Sequence, residues 1–170
     1  MSPTPGCPNH PQGQCMRVMS LLASILLAHG CQFDPNAHLY TAEKPRSSDV
    51  IGRYTLTSQT VVAGDLVALQ GNVCSIDLQA DGTFVATNVP PAQTDFPTPT
   101  FFTTLVDGAG TWKIERCGSV GSLDVWGISL NSPTTPLESV GLTGTKSPYG
   151  LIYTLGDPDS GEAMIFERAP

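Results

Sequence analysis

The sequence predicts an all-β protein, a small antiparallel up-and-down barrel of about eight strands. Three observations lead to this prediction: a hairpin with an Asp-Gly turn, several short stretches of alternating apolar and polar residues, and no convincing long helix after residue 50. With 40% apolar residues, 17 Gly and 15 Pro, the chain is too apolar for disorder and too rich in turn formers for a helical fold. A barrel is favoured because successive hairpins place neighbours side by side and closure removes exposed edges.

The hairpin occupies residues 73–88. Ile76 and Leu78 alternate with polar neighbours, which is typical of a strand with one buried face. Asp81-Gly82 follows and tolerates the positive φ angles that a primed hairpin turn needs. Residues 83–85 then return to β-favouring types, so the stretch predicts strand, tight turn and strand.

The other predicted strands are short and separated by Gly, Pro, Asp and Ser. They cover residues 51–57, 108–116, 123–130, 137–142, 151–155 and 163–168, with a shorter candidate at 100–105. Residues 61–69 are apolar and are consistent with either a short strand or a helical turn. Trp126, Ile128 and Leu130 lie on one face of their strand, as the period of two requires. A turn at residues 157–161 joins the last two strands.

The first fifty residues divide into three segments. Residues 1–15 contain no apolar run and indicate an early start assignment, with Met16 as the native start. Val18 to Ala28 is uncharged and mostly apolar, too short for a bilayer span of about twenty residues but typical of a signal-peptide core, which assigns residues 16–30. Residues 31–49 lack periodicity and predict a flexible tether before a barrel domain at 50–170.

Gly30-Cys31 at the end of this core resembles the bacterial lipoprotein signal, in which the Cys is acylated and becomes the mature N-terminus. The family usually has Leu three residues before the Cys, where this chain has Ala28. The resemblance implies lipidation at Cys31 and a place in the bacterial cell envelope, anchored by lipid and facing the periplasm or exterior. The alternative is ordinary cleavage, which yields a secreted protein with a free Cys31.

The charge balance restricts the partners. The formal net charge is −7, and the basic residues form no cluster in the sequence. Phosphate binding needs concentrated Lys and Arg, so the sequence argues against nucleic acid and against electrostatic docking on anionic lipid.

Histidine chemistry is not expected. His10 and His29 lie in segments that we expect to be absent from the mature protein, and His38 lies in the predicted tether. A Ser-His or Cys-His nucleophile needs an imidazole held inside the fold, and His-based metal sites need the same. We therefore predict a protein that is not an enzyme, with no catalytic residue, metal or cofactor; a carboxylate-based hydrolase is the enzyme alternative.

Two further features leave alternatives open. Asp157, Asp159 and Glu162 are oxygen ligands that calcium could use, but the same residues also build hairpin turns. Cys74 and Cys117 could pair as a disulfide in an oxidising compartment, provided that their strands are neighbours in space.

Aromatic residues supply the binding candidates. The residues that could line a ligand cavity, or else fill the core, are Phe84, Trp112, Trp126 and Tyr153. Residues 89–102 form a Pro-rich loop that could bind a partner or plug the barrel mouth, through Phe96, Phe101 and Phe102.

The domain resembles the calycin barrels, that is, lipocalin-like proteins and related small bacterial envelope lipoproteins. The first strand has Gly52-Arg53-Tyr54 where lipocalins often show Gly-x-Trp, and Gly110 to Trp112 repeats such a pattern. Ala80 to Pro90 and the turn Gly156 to Glu162 before Phe166-Glu167-Arg168 resemble uncharacterised small lipoproteins of bacteria such as actinobacteria. The likeness spans residues 50–170 and implies a fold and an address, but no reaction.

We therefore expect a lipid-anchored extracytoplasmic barrel that binds a small apolar ligand or an envelope partner. The alternative is a filled structural barrel that contacts another envelope protein through its Pro/Phe-rich loop.

Overall fold

The computed structural model describes residues 34–60, 73–91, 105–135, 137, 139–155 and 158–169. These residues form a closed barrel in which eight antiparallel strands follow one another in chain order and the last strand pairs with the first. The predicted all-β up-and-down barrel is confirmed. The leader, the signal peptide and residues 61–69 lie outside the described residues, as do residues 100–104 of the candidate strand at 100–105.

The strand bounds agree with the alternating pattern to within a few residues. They are β1 (Gly52–Thr60), β2 (Ser75–Leu78), β3 (Thr83–Val89), β4 (Val106–Val120), β5 (Leu123–Asn131), β6 (Val140–Thr143), β7 (Gly150–Thr154) and β8 (Ala163–Arg168). A single helical turn, α1 (Ser47–Val50), precedes β1, and short 3-10 turns occupy Ala37–Leu39 and Pro158–Ser160.

The β2–β3 hairpin forms at the predicted position. Leu78 is paired with Phe84, and the amide of Gln79 donates to the carbonyl of Thr83 at 2.9 Å. Gly82 has φ +84°, a conformation that a residue with a Cβ rarely adopts. The Asp81 carboxylate accepts the Thr83 amide at 2.9 Å and completes the turn.

The barrel has two different ends. The end with short connections and α1 is called the turn end; it holds the β2–β3, β4–β5 and β6–β7 turns and the end of β8. The opposite end is called the loop end. Its longer connections join β1 to β2, β3 to β4, β5 to β6 and β7 to β8.

The interior is apolar. Tyr54, Ile76, Phe84, Ile128 and Phe166 are at most 1% exposed, and each lies on the inward face of its strand. Burial of one such side chain contributes about 1.5–3 kcal/mol before the entropy of ordering is subtracted. The period-two pattern read from the sequence is therefore the pattern that fills the barrel.

Residues 34–49 do not form the flexible tether predicted for this stretch. The chain runs along the outer wall from the loop end to the turn end. Thr41 enters the sheet between β5 and β6, because its amide donates to Leu142 at 2.9 Å and its carbonyl accepts the amide of Trp126 at 3.0 Å. The Tyr40 ring lies against Gly141, where a Cβ would be 2.9 Å from it. These contacts join the segment to the domain.

Strand β6 is shorter than predicted, starting at Val140 rather than at Leu137. Leu137 packs instead against β4, with its Cδ1 2.8 Å from the position that a Cβ on Gly108 would take. The apolar character that predicted a strand here reflects a side chain packed from the connecting segment.

Candidate functional site

Tyr54 and Arg168 close the barrel at the turn end. The Tyr54 hydroxyl donates to the carbonyl of Val50 at 2.7 Å, and Arg168 Nη1 donates to the carbonyl of Asp49 at 3.1 Å. Both acceptors belong to α1, and the Val50 side chain is fully buried. Burial raises the pKa of Tyr54 to about 12, although the charge of Arg168 acts in the opposite direction. The phenol is therefore neutral near pH 7 and a hydrogen-bond donor inside the closed end.

Gly52 makes this closure possible. Its φ is +146°, and a Cβ at this position would lie 2.6 Å from Arg168 Nε. A residue with a side chain would displace the guanidinium from its place beside Tyr54. The first glycine of Gly52-Arg53-Tyr54 is thus explained by the close approach of Arg168.

The two tryptophans also lie at the turn end, half-buried. Trp112 Nε1 donates to the carbonyl of Gln79 at 3.0 Å and so joins β4 to the β2–β3 turn. Lys44 Nζ lies 5.1 Å from the centre of the Trp126 ring, within the range of a cation–π contact. Both aromatic rings pack against the core from this end.

An open cleft of about 470 Å³ lies beside Trp112. It is bounded by the N-terminal segment, by the β2–β3 turn and by β4. Its lining residues are Lys44, Pro45, Ser47, Ile51, Ala80, Asp81, Gly82, Trp112, Lys113 and Ile114. Of these residues, the sequence predicts only Trp112 as a ligand contact, because the cleft depends on residues 44–51 packing beside β4.

The charged groups of this cleft already have partners in the protein. Asp81 accepts the Thr83 hydroxyl at 2.6 Å, and this bond lowers the pKa of the carboxyl. Lys113 forms an ion pair with Glu115 at 2.9 Å, and Lys44 lies over Trp126. The cleft is thus a surface feature whose charges serve the fold.

Two small residues lie on one wall of the interior toward the loop end, opposite larger core residues such as Tyr153. Ala86 is fully buried and pairs directly with Gly108, so two small residues face inward side by side. The nearby polar atoms bond to backbone: Cys74 Sγ donates to Asn88 at 2.8 Å and the Tyr153 hydroxyl donates to Pro90 at 2.9 Å. This part of the wall offers apolar contact and little directional bonding.

The four predicted cavity residues do not form one group. Phe84 and Tyr153 are 1% and 2% exposed and belong to the core, whereas Trp112 and Trp126 lie at the turn end. Of the four, Trp112 lines the cleft described above. Their role as ligand contacts stays a prediction.

Cys74 and Cys117 do not form the disulfide that the sequence allows, since both are free thiols. Cys74 belongs to the core, whereas Cys117 contacts Gly127, on the opposite face of β5 from the buried Ile128. The two thiols therefore lie on opposite sides of the barrel wall. Burial raises the pKa of each to about 11, so both are protonated near neutral pH.

Within the described ranges, no three His, Cys, Asp or Glu residues are grouped as metal ligands. His38 lies on the surface, with Nδ1 3.1 Å from the carbonyl of Pro35. Asp159 belongs to a 3-10 turn, and Asp157 lies outside the described residues. In the described part of the chain, no helix has the length and apolarity needed to cross a bilayer.

Several predicted sites cannot be placed. Cys31, Phe96, Phe101 and Phe102 lie outside the described residues, as do His10 and His29. The predictions that rest on them stay predictions.

The chain was compared with family models, curated proteins and solved structures. No family model, curated protein or solved structure matches the chain.

Proposed function

We propose that this chain is a lipid-anchored extracytoplasmic β-barrel that binds a small apolar ligand from its loop end. The observation that carries the ligand proposal is the contrast between the two ends of the interior. Tyr54 and Arg168 close the turn end, while Ala86 and Gly108 present small inward-facing positions toward the loop end. An apolar molecule needs such space and apolar contact more than it needs directional hydrogen bonds.

The described surroundings of Ala86 fit an apolar ligand. Val89 is 1% exposed, Val106 packs against the same core, and both are aliphatic. The thiol of Cys74 and the phenol of Tyr153 nearby already bond to backbone carbonyls, so neither of these two groups needs a polar partner on the ligand. The proposal assigns no catalytic residue to this region.

A filled barrel is the second candidate, and Leu137 favours it. This side chain approaches Gly108 closely enough that a Cβ there would lie 2.8 Å from Leu137 Cδ1. In this alternative the interior is complete without a ligand. The Pro/Phe-rich loop then serves as the contact with another envelope protein.

The substitution Ala86→Leu distinguishes the two candidates. If ligand space adjoins Ala86, the larger side chain occupies it, and binding of the apolar fluorophore N-phenyl-1-naphthylamine falls while stability is kept. If the interior is filled, overpacking lowers the free energy of unfolding by about 1–3 kcal/mol. Val85→Leu is the matched control, because Val85 is the adjacent residue on the outer face and is 44% exposed.

Native mass spectrometry of the chain purified from its own membranes gives the direct measurement. A small-molecule mass that is lost on denaturation supports the ligand proposal. If the small molecule is retained by Val85→Leu and lost from Ala86→Leu, it binds near the part of the wall that contains Ala86. A clean apoprotein mass together with a destabilised Ala86→Leu variant would favour the filled barrel.

The anchor requires a separate test. Mass analysis of the N-terminal peptide from the membrane fraction should find acyl groups on Cys31. Expression of the full chain with Cys31→Ala should move the protein out of that fraction. Cleavage before an unmodified Cys31 would contradict the anchor and support a secreted protein.

A further inference from the structure

We propose that the loop end faces a zwitterionic lipid surface, held there by the N-terminal segment. This orientation rests on the proposed anchor at Cys31. Its structural basis is the path of residues 34–50, which run along the barrel wall from the loop end to the turn end.

The described chain starts at the loop end. Asn36 Nδ2 donates at 3.2 Å to the carbonyl of Gly161, in the connection between β7 and β8. The Pro35 ring lies against the same Gly161, where a Cβ would be 2.9 Å from Pro35 Cγ. The Thr60 hydroxyl donates to this carbonyl at 2.7 Å, at the loop end of β1. Residues 35 and 36 are therefore attached to the loop end.

Few residues separate Cys31 from this attachment, and this restricts the orientations that an anchored barrel can take. Asp34 follows Cys31 by three residues, which span about 11 Å at full extension. The nine residues of β1 extend about 30 Å, so the turn end lies beyond that reach. A flexible tether of about eighteen residues would instead have a typical span of about 23 Å and would allow many orientations.

The described part of the loop-end surface is compatible with contact with lipid headgroups that carry no net charge. Val73, which precedes β2 at this end, is 63% exposed. The acidic residues described at this end are Asp34, Asp107, Asp159 and Glu162. No Lys or Arg occurs in the four connections of the loop end, residues 61–74, 90–105, 132–139 and 155–162.

The basic residues of the barrel lie at the other end. They are Lys44, Arg46, Arg53, Lys113, Arg116, Lys146 and Arg168, which belong to the N-terminal segment, the turn-end parts of β1, β4 and β8, and the β6–β7 turn. Anionic lipid therefore repels the loop end within a Debye length of about 10 Å. A zwitterionic surface permits the approach that the short connection to Cys31 imposes, and the opening proposed for the ligand then faces the bilayer.

Two exposed aliphatic residues provide matched positions for testing the orientation. Val73 lies at the loop end and Leu123, 60% exposed, follows the β4–β5 turn at the opposite end. Val73→Cys and Leu123→Cys, each labelled with the same fluorophore, are compared on phosphatidylcholine vesicles that contain a doxyl-lipid quencher. Cys7, Cys15, Cys31 and Cys117 are replaced by Ser, while Cys74 stays because it is buried.

Attachment in this experiment does not depend on acylation. Hexahistidine inserted between residue 31 and Gln32 of the full chain binds a nickel-chelating lipid. We expect severalfold stronger quenching at position 73 than at position 123. Equal quenching, or stronger quenching at position 123, would overturn the orientation.

A longer connection and a change of lipid provide the controls. A Gly/Ser insert of about eighteen residues before Gln32 should bring the two positions toward equal quenching. Phosphatidylglycerol should weaken quenching at position 73 at low salt, and added salt should restore it. If neither the insert nor the change of lipid altered the quenching, the proposed geometry would be contradicted.

Failure of the anchor and failure of the orientation give different results. Acylated Cys31 with equal quenching at the two positions overturns the orientation alone. An unmodified Cys31 in the native membrane fraction overturns the anchor and, with it, the orientation in the cell. Acylation together with strong quenching at position 73 supports both.

Discussion

At the turn end, side chains bond to backbone across the opening, whereas at the loop end the connections are long and one pair of small residues, Ala86 and Gly108, faces inward. Tyr54 and Arg168 both donate to α1, and the Trp112 indole donates to the β2–β3 turn. Near the loop end, Ala86 faces Gly108 instead. Within the described residues, the N-terminal helical turn covers the turn end and has no counterpart at the other end.

Charge follows the same division. The turn end mixes Lys and Arg with carboxylates, as in the pairs Lys113–Glu115 and Arg116–Asp124. The connecting segments of the loop end contain acidic residues but no Lys or Arg. The turn end therefore has nearly balanced charge, whereas the connections of the loop end carry only negative charge. The net charge of −7 does not reveal this difference.

The largest expected effect comes from opening the closed end. Tyr54→Ala should lower the free energy of unfolding by about 3–5 kcal/mol, because it removes a fully buried aromatic ring. Tyr54→Phe keeps the ring and should cost about 1 kcal/mol through the lost bond to Val50. Urea denaturation measures both. Equal losses would mean that the hydroxyl, and not the ring, holds this end.

A smaller effect is expected at the glycine beside Arg168. Gly52→Ala should cost about 3 kcal/mol, because it combines an unfavourable φ with contact against Arg168. Gly121→Ala is the matched control: its φ is +60° and no atom lies within 4 Å of the added Cβ, so we expect about 1 kcal/mol. Thermal unfolding compares the two. Equal costs would show that Arg168 moves aside easily.

The segment that joins the two ends should contribute measurably. Thr41 is 1% exposed, and its hydroxyl donates to the carbonyl of Gly144 at 2.7 Å. Thr41→Val should cost about 1 kcal/mol and speed cleavage of residues 34–46 by a protease. Ser48→Ala, at an exposed position, is the control and should change neither quantity. A silent Thr41→Val variant would restore the view of this segment as a tether.

The smallest effect concerns pH at the β2–β3 turn. Bonds from the side chain and amide of Thr83 lower the pKa of Asp81. A lowered pKa in the folded state gives stability that is present above the ordinary value near 3.9 and is lost as pH falls through the folded value. NMR titration of Thr83→Val should show the pKa of Asp81 move upward. Thr87→Val, on the same strand, should leave it in place.

Much of the fold follows from local pattern. Ile76 and Leu78 alternate with polar residues, and a period of two can bury only one face of a strand. Gly82 supplies the positive φ that the turn requires. These features act between neighbours in the chain, so they can be read without knowing what lies across the barrel.

The candidate site was less predictable. Trp112 was named, but its partners in the cleft come from the N-terminal segment and from another hairpin. Cys74 and Cys117 could pair only if their strands were neighbours, and the sequence does not reveal which face of the wall each thiol occupies. Such relations depend on register and bulges, including the one between Arg116 and Gly118.

By itself, then, the sequence determined the strands, the hairpin at Asp81-Gly82 and the up-and-down order, because these depend on alternation and turn chemistry within a few residues. Only the tertiary structure decided that residues 34–49 lie on the barrel. Their contacts include backbone bonds from Thr41 and a ring packed on Gly141, and neither of these produces a periodic pattern. Residues 34–49 pair with the barrel through a single β-bridge, between Tyr40 and Thr143. Their conformation therefore depends on the strands they pack against more than on their own sequence pattern.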